Sequence, residues 1–325
     1  GWTYTWQGQL TADFAHGYNT ILQAMRQRFG IENIIYAPGV TYAPHDWNDW
    51  GRENEPDFDS AVSAAESADV IMVCVGETSY CETPGNTDDL HLSANQRELV
   101  RRLAATGKPL LLVLNQGRPR LIPEIEPLAS AIVNIMLPGN YGGDALAMLL
   151  AGDENFSGRM PISYPRYHGA IIPYDYKKGE CVPTMAGAYN YDATVEVQWP
   201  FGHGLSYTTF EYGGLTADRR VYSPDDVIQL SVKLRNSGKR RGKESVLLYS
   251  SDLVASVSPD NRRLRAFSKH QLEAGEEITV KFSLPVRELA FVNPDGEWMV
   301  ERGEFRLSVG TEAITVAVDS TRIFG

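Results

Sequence analysis

The chain has 325 residues, 43% of them hydrophobic and 22% charged, which is ordinary for a globular protein with room for two domains. Its 30 basic and 41 acidic residues give a net charge of −11, which argues against a nucleic-acid partner, since that affinity rests on neutralising phosphates. It has no run of about 18 apolar residues, so no membrane-spanning helix is expected.

The opening "GWTYTWQGQL" has no Met and no basic stretch leading into an apolar one, so it reads as the interior of a longer protein. Phe14, Tyr18, Ile21, Leu22, Met25 and Phe29 recur at helical spacing. "NIIYAP" (33–38) reads as a short strand, and Ala61, Val62, Ala64, Ala65 and Ala68 suggest a second helix. The apolar run 70–75 is the next strand. Ser93 with Gln96 predicts a capping box that opens a helix burying Leu99, Val100, Leu103 and Ala104. Residues 109–117 and 130–139 are further apolar strands, and 142–152 is a helix with Gly at both ends. Strands without polar alternation, separated by helices, predict a parallel sheet covered on both faces.

Residues 155–204 are rich in Pro, Gly and Tyr and lack a period, so they read as a long ordered connector. Beyond it the period becomes two. Ile228, Leu230, Val232 and Leu234 alternate with polar residues, as do Ile278, Val280, Phe282 and Leu284. Phe305, Leu307 and Val309 follow, then Ile314, Val316 and Val318. This predicts an antiparallel β-sandwich of immunoglobulin-like or fibronectin-like proportions. The basic run 233–243 is expected at a solvated hairpin turn.

Chemistry is sparse. Three cysteines (Cys74, Cys81, Cys181) make no disulfide framework. The six histidines (His16, His45, His91, His168, His203, His270) show no metal-ligand spacing, so no metal and no cofactor are expected. No nucleophile elbow, P-loop or dinucleotide fingerprint occurs. "HDWNDW" (45–50) pairs aromatics with acids, a pattern that serves sugar stacking or plain core packing. The loop "GETSYCETPGNTDDL" (76–90) leaves the end of a parallel strand, where ligands bind in such sheets. Its Glu77 and Glu82 suit general acid/base work, and glycoside cleavage needs two carboxylates. A solvated acidic loop is the ordinary alternative.

Four stretches together resemble glycoside hydrolase family 3, the β-glucosidase and β-xylosidase group. They are 73–100, "LVLNQGRPRLI" (112–122), "LPGNYGGDALAMLLAGDENFSGRMPISYP" (137–165) and "WPFGHGLSYTTFEY" (199–212). The resemblance implies an α/β sandwich domain over 1–165 with a mostly parallel sheet. It implies an ordered connector over 166–204 and a fibronectin type III-like domain over 205–325. The family's N-terminal barrel, which carries the nucleophilic Asp, has no counterpart motif here. "NDW" (48–50) resembles its setting but lies in the second domain. In family loops written Gly-Glu-x-x-Tyr-x-Glu the second Glu is the acid/base, which implies Glu82, with Glu77 as second candidate.

The implied function is the C-terminal portion of a retaining exo-acting β-glycosidase, a β-glucosidase, acting on terminal β-linked sugars. Its partners would be a β-linked oligosaccharide or glucoside and the barrel domain, in the periplasm or outside the cell. The alternatives are β-xylosidase specificity, or a non-catalytic module that binds carbohydrate or docks a barrel.

Overall fold

The computed structural model describes residues 15–44, 46, 49, 51–170, 172–177 and 196–324, which fall into two compact units. The first comprises Gly1–Glu154 with Pro165–Gly169, the second Asn155–Tyr164 with Ala170–Gly325. Phe14, "HDWNDW" apart from Asp46 and Asp49, and Cys181 lie outside the described residues.

In the first unit, helix α1 (Ile21–Phe29) starts at Thr20, where a reciprocal capping box with Gln23 satisfies first-turn donors. Then come α2 (Phe58–Glu66), β1 (Ile71–Gly76), α3 (Ala94–Ala104), β2 (Leu110–Asn115), β3 (Ala131–Asn134) and α4 (Gly142–Ala151). The three strands form a parallel sheet in the order β1-β2-β3. Val113 packs with Ala24, Met25, Leu146 and Ala147 of α1 and α4. The alternate residues Ile71, Val73, Val75, Leu110, Leu112 and Leu114 are all buried, and α3 contacts β1. Gly143 has no room for a side chain, since a Cβ there would stand 2.8 Å from the Asn19 carbonyl at the start of α1.

Two expectations need correction in this unit. "NIIYAP" is no strand: its first residue closes a 3₁₀ turn (Ile31–Asn33), the backbone is extended at Ile34, and Ile35 and Tyr36 are exposed. Ser93 caps α3 by accepting from the Gln96 amide at 3.1 Å, but the Gln96 side chain does not return to Ser93. It is buried and bonds elsewhere, as shown below.

The second unit pairs two sheets. One runs β4 (Phe210–Ala217), β6 (Val227–Asn236), β9 (Glu277–Pro285). The other runs β5 (Val221–Tyr222), β13 (Glu312–Val318), β12 (Gly303–Val309), β7 (Gly242–Asp252), β8 (Arg263–Leu272). A small third sheet holds β10 (Phe291–Val292), β11 (Trp298–Val300) and β14 (Arg322–Phe324). Leu230, Val232, Leu234, Val280, Phe282 and Leu284 from one sheet meet Val246, Leu248, Phe305, Leu307, Val309, Val316 and Val318 from the other. This is the inward face the period of two predicted. The basic run is not a hairpin: β6 and β7 lie in different sheets, so it crosses between them. Asn236, fully buried at its start, donates to the Arg240 carbonyl at 2.7 Å and so builds the crossover turn. The aromatic segment 199–212 packs within this unit. Trp199 sits edge-on to Tyr164 at 4.9 Å and Phe201 stacks on Tyr174 at 4.5 Å.

Candidate functional site

The acidic loop leaves β1 at Gly76, which pairs with Asn115 at the end of β2. A Cβ on Gly76 would lie 1.8 Å from the Asn115 carbonyl oxygen, so only glycine fits. The next amide, that of Glu77, donates to that same oxygen at 2.9 Å. Gln96, brought in by α3, clamps this turn. Its Oε1 accepts from the Gly76 amide at 2.8 Å, and its Nε2 donates to the Gly76 carbonyl at 3.1 Å and Tyr42 Oη at 3.0 Å. A side chain expected to cap its own helix instead anchors the loop root.

Glu77 is then fully engaged. Its side chain is 4% exposed. Oε2 accepts from the Gly117 amide at 2.8 Å, the Arg118 amide at 3.2 Å and the Tyr80 hydroxyl at 2.9 Å. Oε1 accepts from Arg120 Nε at 2.8 Å, and Arg118 Nε lies 3.0 Å from it. Arg118 also stacks over the Tyr80 ring at 4.3 Å. Burial raises the pKa of Tyr80, which keeps its hydroxyl as a donor to Glu77. Each of these neighbours is a donor, so the arrangement uses Glu77 as an acceptor that ties the loop after β1 to the loop after β2.

Glu82 is the opposite case. It is exposed, and its carboxylate has no partner among the described residues. It stands just before a 3₁₀ turn (Thr83–Gly85), with φ 55° and ψ −142°. A non-glycine residue rarely holds a positive φ, and such strain concentrates at working sites.

Around the loop root lies a cleft of about 310 Å³, at the carboxyl edge of the sheet. Its lining includes Tyr42, Glu53, Glu77, Tyr80, Asp89, His91, Arg118 and Arg120. Glu82 is not among the lining residues. At one side Asp89 Oδ1 stands 2.7 Å from His91 Nδ1 and 3.2 Å from His168 Nε2. The His91 backbone amide, then its ring, pull the Asp89 carboxyl down to about 2. His91 and His168 are 77 positions apart, so no local metal-ligand spacing marks them. Arg118, Arg120 and Tyr80 have no chemical role in the sequence reading, and Gln96 only that of a helix cap. Their bonds to the loop root span 20 to 43 positions, except Tyr80, which is three from Glu77.

Comparison with known proteins decides the family. The family model "Glycosyl hydrolase family 3 C-terminal domain" matches residues 2–207, and "Fibronectin type III-like domain" matches 244–313. The chain belongs to glycosyl hydrolase family 3. A periplasmic β-glucosidase of Salmonella typhimurium is 35% identical over 80% of this chain and 35% of its own length. A β-xylosidase of Formosa agariphila is 33% identical over 91% of this chain and 40% of its own. A solved β-glucosidase from Erythrobacter marinus superposes with a TM-score of 0.81 at 29% identity, covering 94% of this chain and 44% of that one. The chain thus spans less than half the length of each of these family 3 relatives. The parallel α/β domain followed by a fibronectin type III-like domain is the architecture expected from the sequence, and no helix among the described residues is long and apolar enough to cross a membrane.

Proposed function

We propose that this chain is the C-terminal portion of a retaining, exo-acting β-glycosidase, a β-glucosidase, that releases terminal β-linked sugars from oligosaccharides. In this reading a barrel domain supplies the attacking carboxylate and binds the sugar. Glu82 protonates the leaving oxygen and then takes a proton from water. The observation that carries the reading is the contrast within one loop. Glu77 is buried and saturated with donors, whereas Glu82 is exposed, without a partner among the described residues, and held at a strained backbone position. An acid that must reach into another domain needs the second condition, and the turn that delivers it needs the first. The likeness to a periplasmic β-glucosidase supports a periplasmic or secreted location.

The test is Glu82→Gln in the full-length enzyme. Loss of a general acid slows the reaction by about 10²–10⁴-fold. The loss should be greatest for cellobiose and smaller in the first step for aryl glycosides, whose leaving groups need little protonation. Azide, which needs no base, should restore turnover and give a β-glycosyl azide. If Glu77→Gln shows this rescue and Glu82→Gln does not, the acid is Glu77. If neither responds, the acid lies outside this loop.

A further inference from the structure

We propose that Asp89, His91 and His168 form a binding site for one divalent first-row transition-metal ion. Such an ion would join the end of the acidic loop to the segment Pro165–Gly169. The proposal does not rest on the glycosidase reading, which gives none of the three a role.

The geometry comes first. Asp89 Oδ1, His91 Nδ1 and His168 Nε2 form a triangle with sides of 2.7, 3.2 and 3.1 Å. An ion standing about 1.1 Å above its plane would lie about 2.1 Å from all three atoms, within the ordinary range for zinc bonded to nitrogen or carboxylate oxygen. The angles at the ion would be about 80–100°, so the three ligands would occupy one face of an octahedron and leave other positions to water. Two imidazoles and one carboxylate on a face suit ions such as Fe²⁺ and Zn²⁺, whereas Ca²⁺ and Mg²⁺ prefer all-oxygen sets.

Proton counting gives a second argument. Each ring nitrogen in the triangle carries at most one proton. If both carry one, both donate to Asp89 and the 3.1 Å ring-to-ring edge holds no hydrogen bond. If only one does, at least one side of the triangle sets two lone pairs against each other. Hydrogen bonds therefore serve at most two of the three edges in any tautomer, while a cation above the triangle uses all three lone pairs.

Other groups hold Asp89 and His91 in place. Arg120 Nη1 donates to the carbonyls of Asp89 at 2.9 Å and His91 at 3.3 Å. The Leu121 amide donates to the Leu90 carbonyl at 2.9 Å. The Asp89 carboxylate also accepts from the His91 amide at 2.8 Å. Backbone and orientation of the 89–91 pair are thus fixed without the ion, as hydrogen bonds to the ligands do at metal sites. The Arg120 charge is partnered by Glu77, which softens its repulsion of a cation. The Asp89 and His168 side chains are 70% and 48% exposed, so an ion has a path in.

The test uses the whole chain, stripped with chelator and titrated with ZnCl₂ by calorimetry. One zinc per chain is expected. Binding should weaken at least tenfold in His168→Ala and in Asp89→Asn, and stay unchanged in His16→Ala. Both cysteines near the loop remain in every variant, so thiol binding cancels in the comparison. Loading with Co²⁺ should give visible d–d absorption in the wild type that is lost in His168→Ala. His168 is half-exposed, and circular dichroism checks that its variant is folded. Zinc binding equal in wild type and His168→Ala, or Co²⁺ absorption that survives the substitution, overturns the proposal.

Discussion

Replacing Glu77 by Gln keeps the volume of the side chain and removes its charge from between two guanidinia. One oxygen remains for two sets of donors, and the new amide hydrogens face either Arg120 and Arg118 or the Gly117 and Arg118 amides. Arg118 and Arg120 are 23% and 16% exposed, so water compensates them only in part. Breaking a buried ion pair by removing one partner costs about 3–5 kcal/mol. In a unit the size of Gly1–Glu154 each kcal/mol lowers the melting midpoint by roughly 2–4 °C, so a fall of about 6–20 °C is expected. Among the described residues the α-helices lie in this unit, so ellipticity at 222 nm on heating follows the relevant transition. Glu82→Gln is the control: an exposed carboxylate with no partner among the described residues should change stability by no more than about 0.5 kcal/mol. A Glu77→Gln midpoint within 2 °C of wild type, or an equal loss in Glu82→Gln, would refute the assignment of Glu77 as the loop's anchor.

Three further outcomes are expected. Gly76→Ala forces a Cβ into the Asn115 carbonyl, so the ends of β1 and β2 must separate; slower-exchanging amides of Glu77 and Gly117 should lose protection, and unchanged exchange would contradict the clash. The pKa of His203 is lowered, by burial first and by the Arg159 charge second. The folded protein then holds fewer protons than the unfolded one below about pH 6.5, so stability is full above that value and declines as pH falls through the folded pKa. Melting of wild type and His203→Gln between pH 5 and 8 should converge toward low pH; parallel curves would show that His203 is not linked to folding. The 325-residue chain by itself should hydrolyse no aryl β-glucoside, because the proposed mechanism takes its second carboxylate from a barrel. Stoichiometric turnover by the pure chain, blocked in Glu82→Gln, would place both carboxylates within it.

Much of the fold was legible because it follows from local period. Runs such as 110–114, apolar at every position, have no polar face to show water, and the structure places this one in β2 of a parallel sheet. Alternation at Leu230, Val232 and Leu234 requires one buried face, and these three are at most 2% exposed. The period misled where one of these conditions fails. Ile35 and Tyr36 are apolar but exposed, with no ladder to join. Strand β8 escaped notice because it is an edge strand with Phe267 turned outward, which blurs its alternation. The sequence places a turn within 233–243 but cannot say that the chain changes sheets there.

The site divides in the same way. The sequence by itself determined that an acidic loop with two glutamates leaves a parallel strand at its carboxyl end. Composition and spacing give both glutamates the same setting, and only the resemblance to family 3 ranks Glu82 above Glu77; their surroundings are set by the fold. Tertiary structure decided that difference by bringing Arg118, Arg120 and the Gly117 amide, some 40 positions away, onto Glu77 alone. The same applies to His91 and His168, which meet at Asp89 only because the chain folds back across 77 positions. Local spacing records only what a helix turn or a strand repeat can place side by side. Charge pairing and metal-ligand geometry act through space over a few ångströms, and only the packed fold sets those distances.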